Sequence, residues 1–344
     1  MIRAGAIGDT LMATPLLRSL RKSFPDSYIG AVTSTTAADV LRHNPHIDEV
    51  FPVAYRHLPT WLSLEKQRIL ARARKLRIDT VLSLEANPSF TKIACRTGAE
   101  RIMTYDPSPL CPALHHLPNR DGEHSIEMHL RAGELVGAAP DGMAMEFFYP
   151  EGVDASLTDK LSSIGIAHDD RIIGIHAGWG SREQHPTNTR LRSWPADRFG
   201  QAARWLFDKY KAKIVLTGTE QDRPLNDFIA TASGVPCHNL AGKFSLLESA
   251  ALIRRMGLYI TIDSGPAHMA AALGTPLITL WGPGIFTATR PIAGKGTVTI
   301  LREPPECAPC YGTPLMKTCQ NNICMKQIAV ADVKAAAADI LDAK

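Results

Sequence analysis

Apolar residues along the chain follow two alternating patterns. Short β-rich runs at 28–33, 49–53, 80–84 and 101–103 read as strands, and between them apolar residues recur at helical spacing, as in 13–24 (Leu16, Leu17, Leu20, with Pro25 just beyond) and 65–76. Alternation of this kind predicts a parallel sheet wrapped by helices. The pattern weakens between 106 and 170, where Pro107, Pro109, Pro112, Pro118, Pro140 and Pro150 interrupt it and only 125–136 reads as a helix. It restarts with strands at 171–176, 212–217, 258–262 and 276–280, again with helices between. Two doubly wound α/β domains are therefore expected, 1–152 and 153–328. The Ala-rich stretch 329–344 is expected to form a helix that packs back across them. Open sheets of this type bind ligands beyond the carboxyl ends of their strands, so motifs placed there carry the functional reading.

Composition narrows the class of protein. The 344 residues are enough for two cores, and with 45% hydrophobic and 21% charged residues the chain should fold throughout. No apolar run has the length of a membrane span or a signal peptide, so a cytosolic protein is expected. A net charge of +4 is too small to argue for nucleic acid. Basic residues crowd Arg56, Lys66, Arg68, Arg72, Arg74, Lys75 and Arg77, as either a solvated helix face or a surface for an anionic partner. The seven cysteines are expected to be thiols rather than a disulfide framework. Cys307, Cys310, Cys319 and Cys324 would together offer zinc or iron four thiolates, but the spacing of the second pair is irregular, and no metal or cofactor is expected.

Candidate chemistry sits just after strands. Gly5-Ala6-Ile7-Gly8-Asp9-Thr10 follows a very short first strand and leads into a helix, so backbone N–H groups can meet an anion while Asp9 stands at the mouth of the turn. Asp9 reads equally as a helix cap. The motif lacks the Lys-Ser/Thr of a Walker loop and the third glycine of a dinucleotide fingerprint. Met1 begins almost on it, as expected of a chain whose start is truncated or misassigned. Asp263-Ser264-Gly265-Pro266-Ala267-His268 makes a second helix start, suited to a diphosphate. A long polar loop runs from His176-Ala177-Gly178 to Arg192-Ser193-Trp194-Pro195, and Arg192 can clamp phosphate oxygens. Glu220 could accept from a ribose diol, and the 241–245 segment with Phe244 could line a base.

Taken in order, Gly8-Asp9, Trp194-Pro195, Gly218-Thr219-Glu220, Asp263 to His268 and Leu280-Trp281-Gly282-Pro283 resemble glycosyltransferase family nine, whose best-known members are the ADP-heptose:lipopolysaccharide heptosyltransferases. The resemblance spans nearly the whole chain. It implies a GT-B fold, with two Rossmann-like domains facing a central cleft, an amino-terminal acceptor domain and a carboxyl-terminal donor domain. It implies inverting, metal-independent transfer of a heptose or related sugar from an ADP-sugar to an anionic glycolipid of the lipopolysaccharide inner core.

Asp9 matches the general base. Arg192, Glu220, Phe244, Asp263, Ser264, Gly265 and His268 match donor contacts, and Gly8, Thr10, Arg56, Lys66 and Arg68 are the acceptor candidates. Gly178 and Trp179 depart from the small hydroxyl residues that the family carries there, and Arg stands for Lys at 192. A monomer with peripheral contact at the cytoplasmic face of the inner membrane is expected. The alternatives are a nucleotide-sugar epimerase and a non-enzymatic nucleotide-sugar-binding protein of the same fold.

Overall fold

The structure, a computed structural model, describes residues 1–54, 58–180 and 192–343. The chain divides into two compact units, Met1–Phe148 and Tyr149–Lys344.

The first unit holds six strands: β1 (Ile2–Arg3), β2 (Gly30–Ser34), β3 (Glu49–Val53), β4 (Thr80–Ser83), β5 (Arg101–Thr104) and β6 (Leu114–His116). The second holds β7 (Ile172–His176), β8 (Lys213–Leu216), β9 (Cys237–Asn239), β10 (Leu258–Ile262), β11 (Leu277–Leu280) and β12 (Val298–Leu301). The orders are β3-β2-β1-β4-β5-β6 and β12-β11-β10-β7-β8-β9, so each unit, counted from its own first strand, reads 3-2-1-4-5-6. All pairings are parallel. The order reverses between β1 and β4 in one sheet and between β7 and β10 in the other, and these switch points are where such sheets bind ligands.

Central strands are legible because helices cover both faces of a parallel sheet, so every position is apolar or satisfied internally. All five residues of β7 and of β10 are buried. Tyr259 tolerates this because its hydroxyl meets that of Thr217 at 2.7 Å. The three strands absent from the sequence reading, β6, β9 and β12, are all edge strands, half-buried or exposed, with no long apolar run. The expected helices form at Thr14–Ser23, Leu64–Lys75, Ser125–Glu134 and Val330–Leu341. The last buries Val333, Ala337 and Ile340 in the core of the second unit. The chain leading into it is pinned by Trp194 and Arg198, which donate to the Ile328 carbonyl at 3.0 and 2.8 Å.

One expectation about cysteine fails. Cys95, at the end of helix Pro88–Arg96, forms a disulfide with Cys111, just before β6. The sheet brings their Cα atoms to 5.9 Å, a proximity that spacing along the chain does not reveal.

The first unit also encloses a titratable ring. His129, in helix Ser125–Glu134, is fully buried, its Nδ1 donating to the Met12 carbonyl at 3.1 Å. Burial pushes the imidazole down to about 3, so the folded ring is neutral. An unfolded histidine titrates near ~6.5 and takes up a proton that the folded ring refuses, so stability falls as pH drops from there toward 3. The loss from this group is at most ~1.4 kcal/mol per pH unit. Thermal melts of the wild type and His129→Asn between neutral and mildly acid pH should show a shallower acid slope in the variant. Equal slopes would assign the acid sensitivity to another group.

Candidate active site

In the first unit the chemistry collects at the β1/β4 switch point. β1 ends at Arg3, and the turn after it starts the short helix Ile7–Leu11, which contains Asp9. One Asp9 oxygen accepts from the Ala6 N–H at 3.0 Å and the other from Arg3 Nη2 at 2.9 Å. The capping role is therefore real, yet 39% of the side chain stays exposed and one face of the carboxylate can meet a substrate. Gly5 is required by this packing, since a Cβ there would lie 2.5 Å from that of Asp9.

Glu85, just past β4, closes the constellation. It accepts from the Ala4 N–H at 2.8 Å and lies 3.4 Å from Arg3, whose guanidinium thus bridges two carboxylates across the switch point. Arg3 and Glu85 were missed because neither lies in a glycine-rich motif. Their only sequence signal is a charged residue at each of two strand ends.

The expected acceptor residues divide. Gly8 is buried, and Thr10 is wholly inside, its hydroxyl 3.3 Å from that of Thr33, so it holds the turn instead of facing solvent. Lys66 is likewise buried, its ammonium donating to the Leu58 carbonyl at 2.5 Å. Desolvation lowers its pKa, and the expected surface cation is in fact a tie between helix and loop. Arg68 is exposed. Arg56 lies outside the described residues.

In the second unit the residues meet at the β7/β10 switch point. Ser264 caps helix Gly265–Leu273 in extended conformation, with Pro266 in the first turn, and its hydroxyl lies 3.1 Å from that of Thr261. Pro266 has no N–H and the Ala267 N–H turns back to the Ser264 carbonyl at 3.1 Å, so the Gly265 N–H is the backbone donor this helix start can offer an anion. His268 is buried one turn in.

Arg192 reaches the same turn. Its Nη1 donates to the Asp263 carbonyl at 3.0 Å and lies 3.7 Å from the Asp263 carboxylate. Burial raises the Asp263 pKa while Arg192 opposes the rise. The guanidinium packs 4.4 Å from the Tyr311 ring centroid, which sequence reasoning did not single out. Tyr311 comes from the cysteine-rich segment, held by the N–H groups of Cys310 and Tyr311 on the Pro283 carbonyl at 3.2 and 3.0 Å. Cys310 and Cys324 are buried and Cys307 is exposed. Among the described residues no group of three or more His, Cys, Asp or Glu is placed to hold a metal.

Glu220 and Phe244 sit on neighbouring strand ends. Glu220 is exposed and paired with Arg223 through two contacts of 2.6 Å, which hold its carboxyl below the usual range. Arg223 also donates to the Ala241 carbonyl, joining the turns after β8 and β9. Phe244 is half-buried, with the Lys160 ammonium 6.0 Å from its ring centroid.

A further residue missed from the sequence is Asp222, fully buried, which accepts from the Thr219 N–H at 2.7 Å and the Gly180 N–H at 3.1 Å. The Thr219-x-x-Asp222 capping pattern was its available signal. A cavity of about 560 Å³ in the first unit is lined by Gly30, Thr80 and Arg101, the first residues of β2, β4 and β5. It opens at the opposite strand ends from Asp9 and has no part in this chemistry.

Two doubly wound units with polar turns at their switch points are the parts of a GT-B fold, and the comparisons agree. The structure matches a family 9 glycosyl transferase of Veillonella parvula with a TM-score of 0.82, at 24% identity over 100% of this chain and 96% of that one. It matches the ADP-heptose lps heptosyltransferase II of E. coli at 0.76, with 19% identity over 99% and 98%. The chain is a glycosyltransferase.

Its particular likeness is to the heptosyltransferases: the model of glycosyltransferase family 9 (heptosyltransferase) matches residues 184–319. Lipopolysaccharide heptosyltransferase 3 of Escherichia coli (strain K12) is 25% identical over 83% of this chain and 82% of its own. Lipopolysaccharide heptosyltransferase 2 of Salmonella typhimurium is 25% identical over 86% and 85%.

Asp222 also accounts for the departure at Gly178, because a Cβ there would lie 2.0 Å from its Oδ1. Gly178→Ser should therefore overpack the turn and lower the melting temperature, by an amount corresponding to about 1–3 kcal/mol. Differential scanning calorimetry checks it. An unchanged melt would mean that Asp222 yields without cost.

Proposed function

We propose that the chain is an inverting heptosyltransferase that moves a heptose from an ADP-sugar to an anionic inner-core glycolipid without requiring a metal. The observation that carries this reading is the cationic turn of the second unit. Arg192, positioned by Tyr311 on the Asp263 loop, stands at the turn that opens helix Gly265–Leu273, so charge growing on a departing diphosphate would meet a fixed cation and the Gly265 N–H. The names of the relatives supply the sugar and acceptor class.

In this mechanism Asp9 takes the proton of an acceptor hydroxyl as that oxygen attacks the anomeric carbon. The C–O bond to the diphosphate breaks on the opposite face, and the configuration inverts. Arg3 and the Ala6 N–H hold the carboxylate in its orientation. Glu220 and Phe244 flank the nucleoside, while Ser264, Gly265 and His268 hold the diphosphate and sugar. Gly8 shapes the Asp9 turn. The enzyme works as a monomer that touches the cytoplasmic face of the inner membrane.

The reading is tested by supplying ADP-heptose with and without a lipid A-core acceptor, in the presence of chelator, and following products by mass. Acceptor-dependent transfer is expected; isomerised sugar without acceptor would make the chain an epimerase. Asp9→Asn should lower turnover by about 10²–10⁴ while ADP-heptose affinity stays near wild type. Arg192→Ala should weaken both, because its guanidinium would hold the diphosphate in the bound donor and hold it more strongly as charge grows on it in the transition state. A Asp9→Asn loss confined to donor affinity would remove Asp9 from the role of base.

A further inference from the structure

The segment between β3 and helix Leu64–Lys75 presents apolar side chains to solvent. Leu58 is 38% exposed, Trp61 72%, Leu62 54% and Leu64 68%, a concentration within seven residues that the rest of the described surface of the first unit does not repeat. Lone exposed apolar residues are ordinary, but a cluster of large ones marks a contact surface.

The cluster is held outward by construction. Lys66, itself buried, donates to the Leu58 carbonyl at 2.5 Å, and Gln67 Nε2 donates to the Trp61 carbonyl at 2.8 Å. Thr60–Leu62 forms a 3₁₀ turn closed by the Leu62 N–H on the Pro59 carbonyl at 3.0 Å, and Ser63 caps the following helix through the Lys66 N–H. Glu65 accepts from the Ala54 N–H at 3.0 Å and fixes the other end. The backbone is thus anchored through a buried lysine while the apolar side chains are left without cover.

What surrounds the cluster is basic. Leu64, Arg68, Ala71 and Lys75 follow one another at spacings of four, three and four residues along a single exposed stripe of helix Leu64–Lys75. Arg74 is exposed beside that stripe. An apolar tip with tryptophan at its edge, continued by a basic stripe, has the chemistry of a surface that dips into a bilayer and meets its phosphates.

We propose that Leu58, Trp61, Leu62 and Leu64 form a membrane-docking tip that binds the interface of an anionic bilayer, with Arg68 and Lys75 against the lipid phosphates. The tip follows the carboxyl end of β3, and β3 runs parallel to β1 in the same sheet, so it stands on the edge of the unit that carries the Asp9 turn. A bilayer there would present a lipid-linked acceptor to that edge. This use of the tip rests on the acceptor class proposed above, whereas binding to a bilayer does not.

The test is sedimentation of the full chain with vesicles of phosphatidylethanolamine and phosphatidylglycerol, compared with phosphatidylcholine vesicles. The wild type should bind the anionic vesicles, more weakly as salt rises. Trp61→Ser/Leu62→Ser/Leu64→Ser should bind about tenfold or more weakly, with an unchanged melting temperature and unchanged transfer to a delipidated acceptor. Arg68→Glu/Lys75→Glu should lose the preference for anionic lipid. Full binding by the triple variant, or no binding by the wild type, would overturn the proposal. So would self-association of the wild type that the triple substitution abolishes, since a second copy would then be what covers the tip. Transfer without vesicle binding defeats the docking tip alone, and vesicle binding without transfer defeats the enzymatic reading alone.

Discussion

The architecture depends on the reversal of strand order in each sheet. Where helices leave a parallel sheet toward opposite faces, the turns after two adjacent strands part and expose the N–H groups of the helix starts. Those that the helix does not satisfy can receive a side chain from the same chain, water or a ligand. In the first unit the β1 turn is met by the carboxylates of Asp9 and Glu85, with Arg3 between them. In the second unit Arg192 lies at the Asp263 turn, and the opposite sign of charge there suits an anion.

Both halves rely on side chains that position other groups. Arg3 carries the orientation of Asp9, and Tyr311 carries that of Arg192, in each case by removing the alternatives open to a long or acidic side chain. Asp222 does the same for backbone, joining the turns after β7 and β8 through the N–H groups of Gly180 and Thr219. The cost of this last device is visible at Gly178, where no side chain fits beside the buried carboxylate. Preorganisation of this type matters because charge that develops during transfer gains most from donors already in place.

The legibility of the chain follows burial. Central strands such as β7 and β10 could be read from their apolar runs, and the helices from their spacing, because a residue buried on a known period leaves a periodic trace. Edge strands β6, β9 and β12 leave a weak trace. Among the candidate site residues, Asp9, Asp263 and Ser264 are readable from motifs that combine glycine, a capping residue and a helix start. Lys66 and Thr10 read as acceptor candidates, one within a run of basic residues and the other beside Asp9, yet each is buried with a partner that its motif does not reveal, Leu58 for one and Thr33 for the other.

Local sequence therefore determined the elements, the two α/β units and the turns able to hold an anion, since these depend on propensity, spacing and backbone freedom within a few residues. Only tertiary structure decided which charges meet. The pairing of Arg3 with Glu85, of Arg192 with Asp263 and Tyr311, and of Cys95 with Cys111 joins residues from separate elements that the sheet order brings together. Contacts of that kind arise when strands distant in sequence become neighbours, and no periodicity along the chain encodes them.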